Sequence, residues 1–146
     1  MQRRTVVDYA LARRATLADL ARGVVSRREV CDAHPDLLRA ARHHGESIDK
    51  RCPICRSPQS LVHVTYVYGD ELREASGRAR ARSELVALSL RHTDLRVYVV
   101  EVCRDCSWNH LSSSFRIGTK APEPGHTDPP AVRRPARGRA VGPVRG

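Results

Sequence analysis

The hydrophobic pattern changes period near residue 51. Before it, Val6, Val7, Ala10 and Leu11 form a short apolar stripe at helical spacing, and Thr16 with Asp19 three positions on predicts a second helix start, ending near Gly23. Ser26 followed by Glu29 is a clearer start, because the hydroxyl can accept from the third amide while the carboxylate reaches back to the cap. Pro35 opens a further helical run and Gly45 closes it, matching the fixed φ of proline at a first turn and the freedom of glycine at an exit. The expectation for residues 1–50 is a helical arm of three or four helices.

Beyond Arg51 the period becomes two. Residues 61–68 alternate with Val62, Val64, Tyr66 and Tyr68 on one face, residues 97–102 are β-branched, and residues 111–117 alternate again. Three strands are predicted. Residues 70–94 read as an insertion, a loop over 70–82 followed by a capped helix over 83–90. Residues 119–146 hold six of the nine prolines and four of the nine glycines with few large apolar groups, so burial cannot offset ordering entropy there and a disordered tail is expected. The predicted class is α+β: a helical arm (1–50), a domain with a three-stranded antiparallel sheet and a helical insertion (51–118), and a basic tail (119–146).

Only 4% of the 146 residues are aromatic, so the core must come from Leu, Val and Ala, and a small domain of that kind gains from a metal staple. Two early arginines precede no apolar run, and no segment approaches the ~20 apolar residues of a membrane span. A cytoplasmic protein without membrane contact is expected. In that reducing compartment, paired cysteines indicate metal or catalysis more than disulfides. Net charge is +10, spread as +3 over 1–50, +3 over 51–118 and +4 over 119–146, which favours nucleic acid or an acidic protein as partner.

Cys52-Pro-Ile-Cys55 and Cys103-Arg-Asp-Cys106 carry the sharpest chemistry. Each pair can wrap two thiolates around one ion, and four soft thiolates complete a tetrahedron suited to zinc. The 47 residues between Cys55 and Cys103 exceed the ~15 to 20 of compact sites, and the insertion accounts for the surplus. With a strand after the first pair, one running into the second and one leaving it, the chain order predicts a zinc ribbon holding one structural Zn2+. Iron in a rubredoxin-like site, a redox dithiol and disulfides are the competing readings; a thioredoxin-type motif fails because neither pair opens a helix after a strand. Four thiolates close the metal shell and argue against a catalytic zinc. His110 could replace one thiolate, and His44-Gly-Glu46 fits a deaminase-like His-x-Glu, but Cys52 lacks the preceding proline of that signature.

The remaining features carry weaker expectations. Trp108 beside His110 either packs over the second knuckle or stacks on a partner. Tyr66, Tyr68 and Tyr98 are expected to pack against the inserted helix rather than line a nucleic-acid face. Arg78, Arg80 and Arg82 alternate in a loop that could meet phosphates, and Arg133, Arg134, Arg137 and Arg139 add charge in the tail. Thr16 to Ser26 has the outline of a helix-turn-helix with its turn misplaced, so a packing arm is favoured. Cys31 is expected to be a small buried apolar residue. The run Ser112–Ser114 has no evident His and Asp partners for a nucleophile.

Val7-Asp-Tyr-Ala-Leu, Val30-Cys-Asp-Ala-His-Pro with Leu37-Leu-Arg-Ala-Ala, Cys52-Pro-Ile-Cys, Tyr68-Gly-Asp-Glu-Leu and Val100-Glu-Val-Cys-Arg-Asp-Cys-Ser-Trp-Asn-His-Leu together resemble a family of small actinobacterial proteins of unknown function, domain of unknown function 5318. The resemblance covers roughly residues 5–119 and implies an actinobacterial origin and a zinc-ribbon core, with no activity to carry over. The function expected is a non-enzymatic adaptor docking on nucleic acid, RNA polymerase or the ribosome. Its alternatives are a zinc-stabilised module gripping an acidic protein, and a metalloenzyme.

Overall fold

The computed structural model describes residues 1–121; Arg133, Arg134, Arg137 and Arg139 lie outside the described residues. Strand β1 (Arg4–Asp8) leads into helix α1 (Ala10–Ala21), the single-turn helix α2 (Arg27–Val30) and helix α3 (Pro35–His44). Then come β2 (Glu46–Ser47), β3 (Leu61–Tyr68), a 3-10 turn (Asp70–Ala75), β4 (Arg78–Arg80), α4 (Glu84–Arg91), β5 (Leu95–Cys103) and β6 (Asn109–Ile117). The class is α+β, as expected. The sheet has six strands rather than three, in the order β1-β6-β5-β3-β2 with β4 also on β3, and every pairing is antiparallel.

The three extra strands, β1, β2 and β4, fall where helix or loop is expected. Val6 and Val7 lie in β1, an edge strand on β6, and α1 begins only at Ala10, where the Asp8 carboxylate accepts from its first amide at 2.8 Å. Thr16 is therefore mid-helix, its hydroxyl bonded back to Ala12 O at 3.1 Å, and it caps nothing. The helix does end near Gly23: α1 stops at Ala21, Arg22 caps it, and Gly23 at φ +77° provides the left-handed exit. β2 extends the sheet directly after α3, and β4 sits within the expected 70–82 loop. Residues 1–50 thus combine helices with two strands of the shared sheet.

Other signals hold. Ser26 and Glu29 form both bonds of a capping box, and α3 starts at Pro35 and stops at Gly45. A Cβ on Gly45 would meet Ala41 O at 2.3 Å and Val62 Cγ2 at 2.7 Å, so only glycine lets α3 turn this closely onto β3. α4 lacks the side-chain cap expected of Ser83; Glu84 accepts from the Ala81 amide at 2.7 Å instead.

β3 and β5 are covered on both faces, which is why their sequences are apolar beyond simple alternation. On one face, Leu37 and Ala41 of α3 pack on Val62, Val64, Tyr66, Val100, Val102 and Leu111. The tyrosines belong to this layer, with Tyr68 and Tyr98 edge-on at 5.6 Å, so they pack on the α3 side rather than against the inserted helix. Leu85 and Leu88 of α4 cover Val67, Val97, Phe115 and Ile117. Leu17, Leu20 and Val30 close a third cluster over Leu61, Trp108, Cys52 and Cys103.

Candidate metal centre

The register of β3 against β5 brings the two cysteine pairs together. Leu61, the first residue of β3, lies opposite Cys103, the last of β5, so the segment before β3 and the turn after β5 share one end of the sheet. Forty-seven intervening residues are bridged by a ladder rather than by a long loop. Each pair then folds into the same turn. The Arg56 amide donates to Cys52 O at 3.0 Å and the Cys52 amide to Ser57 O at 3.1 Å; the Ser107 amide donates to Cys103 O at 3.1 Å and the Cys103 amide to Trp108 O at 2.8 Å. Arg56 (φ 65°) and Ser107 (φ 69°) both sit in the left-handed region right after their second cysteine. Non-glycine residues enter that region at a cost, held there by the surrounding turn.

The four sulfurs of Cys52, Cys55, Cys103 and Cys106 all lie within 4.8 Å of one another. Cys52 Sγ is 3.6 Å from Cys106 Sγ, and Cys55 Sγ is 3.7 Å from Cys103 Sγ. In each pair the first cysteine is fully buried and the second half-buried. Such a cluster can hold a metal ion. Burial pushes the Cys103 thiol up to about 11 and also raises Cys106, because a buried thiolate loses solvation, with charge on Cys52 acting in the same direction on both. Burial also acts upward on Cys55, but hydrogen bonds from the Ser57 backbone and the neighbouring thiols outweigh it and lower that thiol.

Polar stitches hold the knuckles. Ser57 and Ser60 hydroxyls bond at 2.7 Å, Ser60 also donates to the Asp105 carboxylate, and that bond holds Asp105 below the usual carboxylate range. The Arg104 amide donates to Ser60 O at 2.9 Å.

Residues 1–130 match the model of a family of unknown function, DUF5318. The chain belongs to that family. Relatives are mycobacterial: uncharacterized proteins of Mycobacterium bovis (Mb0050) and of two strains of Mycobacterium tuberculosis (MT0055 and Rv0049) are each 48% identical over 116 residues, covering 80% of this chain and 84% of the relative. No solved structure matches.

Within this DUF5318 chain the other expected contact residues divide. Trp108 and His110 are buried, at 0% and 2% exposure, so neither can stack on a partner. The Trp108 indole donates to Glu101 Oε2 at 2.7 Å, and His110 stacks on Trp108 while its Nδ1 bonds Leu111 O at 2.8 Å, outside the sulfur cluster. Both are apolar enough to be drawn into the wall behind the cysteines. Arg78 and Arg82 are exposed, whereas Arg80 is half-buried and pairs with Glu84 at 3.4 Å. Among the described residues no helix is long and apolar enough to cross a membrane.

Sequence reasoning missed two things. Glu101, a carboxylate inside a β-branched run, is buried and receives the Arg13 guanidinium through two nitrogens at 3.1 and 3.0 Å, tying α1 to the sheet. A charge in a strand buried on both faces demands a partner, and that was the available signal. Cys31 packs on the apolar cluster around Val30 and Trp108 but is half-buried rather than buried, and its Sγ lies 3.8 Å from Cys106 Sγ, beside the sulfur cluster. No spacing rule predicts that.

Proposed function

We propose that the four cysteines hold one structural Zn2+ in zinc-ribbon fashion, and that the chain is a non-enzymatic cytoplasmic adaptor docking on nucleic acid or on a nucleic-acid machine such as RNA polymerase or the ribosome. The observation that carries the metal reading is the sulfur spacing. With Zn–S bonds of about 2.3 Å a tetrahedron has edges of about 3.8 Å, and the pairs at 3.6 and 3.7 Å are close to that. Thiolates alone make a closed, soft shell that favours zinc over hard cations and leaves no position for substrate water. The ribbon reading is supported by the chain order, with one cysteine turn before β3 and the other between β5 and β6. The zinc would replace, as folding energy, part of the core that a chain with so few aromatic residues lacks.

The docking reading rests on charge. Lys50, Arg51, Arg56 and Arg104 flank the cysteines in sequence and are exposed, as are Arg78 and Arg82. Guanidinium groups suit phosphates, and the overall +10 charge steers polyanions inward. Fluorescence anisotropy with labelled single- and double-stranded oligonucleotides tests it on the full chain. Affinity should fall steeply with salt, and Arg78→Ala with Arg82→Ala should each flatten the log–log salt slope by roughly one phosphate contact. Absence of binding at low salt would remove nucleic acid itself; capture of an acidic protein by nuclease-treated lysate would then favour the protein-interaction alternative.

A further inference from the structure

Cys31 is held beside the metal centre rather than left there by chance. It ends α2, with its amide on Arg27 O at 2.9 Å. Val30 just before it is buried against Cys52, Leu61, Cys103 and Trp108. Just after it, Asp32 accepts from the Asn109 side chain at 3.1 Å and the Ala33 amide donates to Ser107 O at 3.1 Å, so the segment is stitched to the second knuckle at two points. The Cys31 thiol donates to Cys106 Sγ across 3.8 Å, a separation like those within the cluster itself. Cys31 and Cys106 are half-buried, as is Cys55, while Cys52 and Cys103 are sealed; of the half-buried three, Cys31 and Cys106 are the two held in mutual contact. A small oxidant can therefore reach this pair before the inner two.

We propose that Cys31 and Cys106 form a redox modification site for hydroperoxides, in which Cys31 serves as the resolving thiol of the metal centre. The inference rests on the metal reading above only in that Cys106 is one of the four sulfurs assigned to the ion; the pairing itself stands on the 3.8 Å approach of Cys31. The Cys106 sulfur attacks one peroxide oxygen, the O–O bond breaks, and the departing oxygen takes up a proton and leaves as water, or as an alcohol when the oxidant is an alkyl hydroperoxide. Cys106 is left as the sulfenic acid. Cys31 sulfur then attacks the sulfenic sulfur, the S–S bond forms, and the sulfenic hydroxyl leaves as water with the Cys31 proton. Two thiols lose two electrons in total and one peroxide gains them. Closing from 3.8 Å to a disulfide near 2.05 Å needs about 2 Å of approach, within reach of a loop residue at the end of a one-turn helix. The metal then keeps three thiolates and is held less tightly. A thiol reductant restores the original set, because the disulfide stops Cys106 short of the irreversible sulfinic state.

The test treats the full zinc-loaded chain with hydrogen peroxide, alkylates free thiols and maps tryptic peptides. Cleavage after Arg104 separates the two cysteines of the second knuckle, so a cross-link between Glu29–Arg39 and Asp105–Arg116 reports Cys31 with Cys106 alone. That cross-link is expected first, together with zinc release to a chromogenic chelator that dithiothreitol and added zinc reverse. In Cys31→Ser, or in Cys31→Ala if serine lowers the starting zinc content, Cys106 should proceed to the sulfinic acid, and recovery of zinc after reductant should drop several-fold. Cross-links confined to Cys52, Cys55, Cys103 and Cys106 with Cys31 still alkylated would overturn the proposal, as would equal recovery in the variants. Zinc measured before treatment separates the two readings: a metal-free chain sinks the zinc assignment, and the peptide map still decides the thiol pairing.

Discussion

The Trp108 indole N–H donates to the Glu101 carboxylate at 2.7 Å inside the core, one turn of chain away from Cys106. Through Trp108, which packs on Cys52 and Cys103, this links a buried carboxylate to the cysteine cluster, with Arg13 of α1 pairing its charge. Removing one partner of such a carboxylate leaves it under-solvated, so the loss exceeds that of an ordinary hydrogen bond. Trp108→Phe keeps most of the ring volume and should destabilise the chain by about 2 to 3 kcal/mol in denaturant unfolding. Glu101→Gln in the Trp108→Phe background should recover part of that loss; no recovery would show that ring packing, not the carboxylate, sets the cost.

Ser107 occupies the left-handed region at φ 69° to close the second knuckle. A β-branched side chain is strained there, whereas glycine is not. Ser107→Val should cost about 1 to 3 kcal/mol and weaken metal retention in a competition with a chelator, while Ser107→Gly should change stability by less than about 1 kcal/mol. Equal effects of both substitutions would mean that the hydroxyl, not the backbone, matters.

Burial holds His63 below its ordinary value, with Arg82 and Lys50 pushing the same way and Glu101 opposing. The folded chain therefore takes up this proton at lower pH than the unfolded chain. Above about pH 6.5 both are neutral and the group leaves stability unchanged; as pH falls below that, the unfolded chain binds the proton first and stability declines. The His63 ring C–H resonance should titrate below pH 6.5 in NMR, and His63→Gln should lessen the fall in Tm between neutral and mildly acidic pH. A midpoint at or above the ordinary value would contradict the burial argument.

What the sequence disclosed depended on whether the cause was local. Helix α3 was legible because Pro35 and Gly45 punctuate it, α2 because Ser26 and Glu29 bond within one turn, and β3 because Val62, Val64, Tyr66 and Tyr68 recur at every second position. β1 was not legible. Its irregular register, with Thr5 at φ 53° between Arg4 and Val7, breaks the alternation, and Ala10 and Leu11 extend the apolar run into α1. β2 and β4 are too short to show any period and exist because β3 offers them an edge. The two Cys-x-x-Cys pairs declared themselves by spacing alone. Cys31 and Arg13 reached the same end of the sheet through tertiary packing, which no local pattern records.

The central claim is a closed four-thiolate zinc site, and X-ray absorption at the zinc edge on the purified full chain tests it most directly. One zinc per chain with four sulfur scatterers at about 2.3 Å is the result predicted. A chain carrying no metal, an iron edge instead of a zinc edge, or a shell in which nitrogen or oxygen takes the place of sulfur would contradict it.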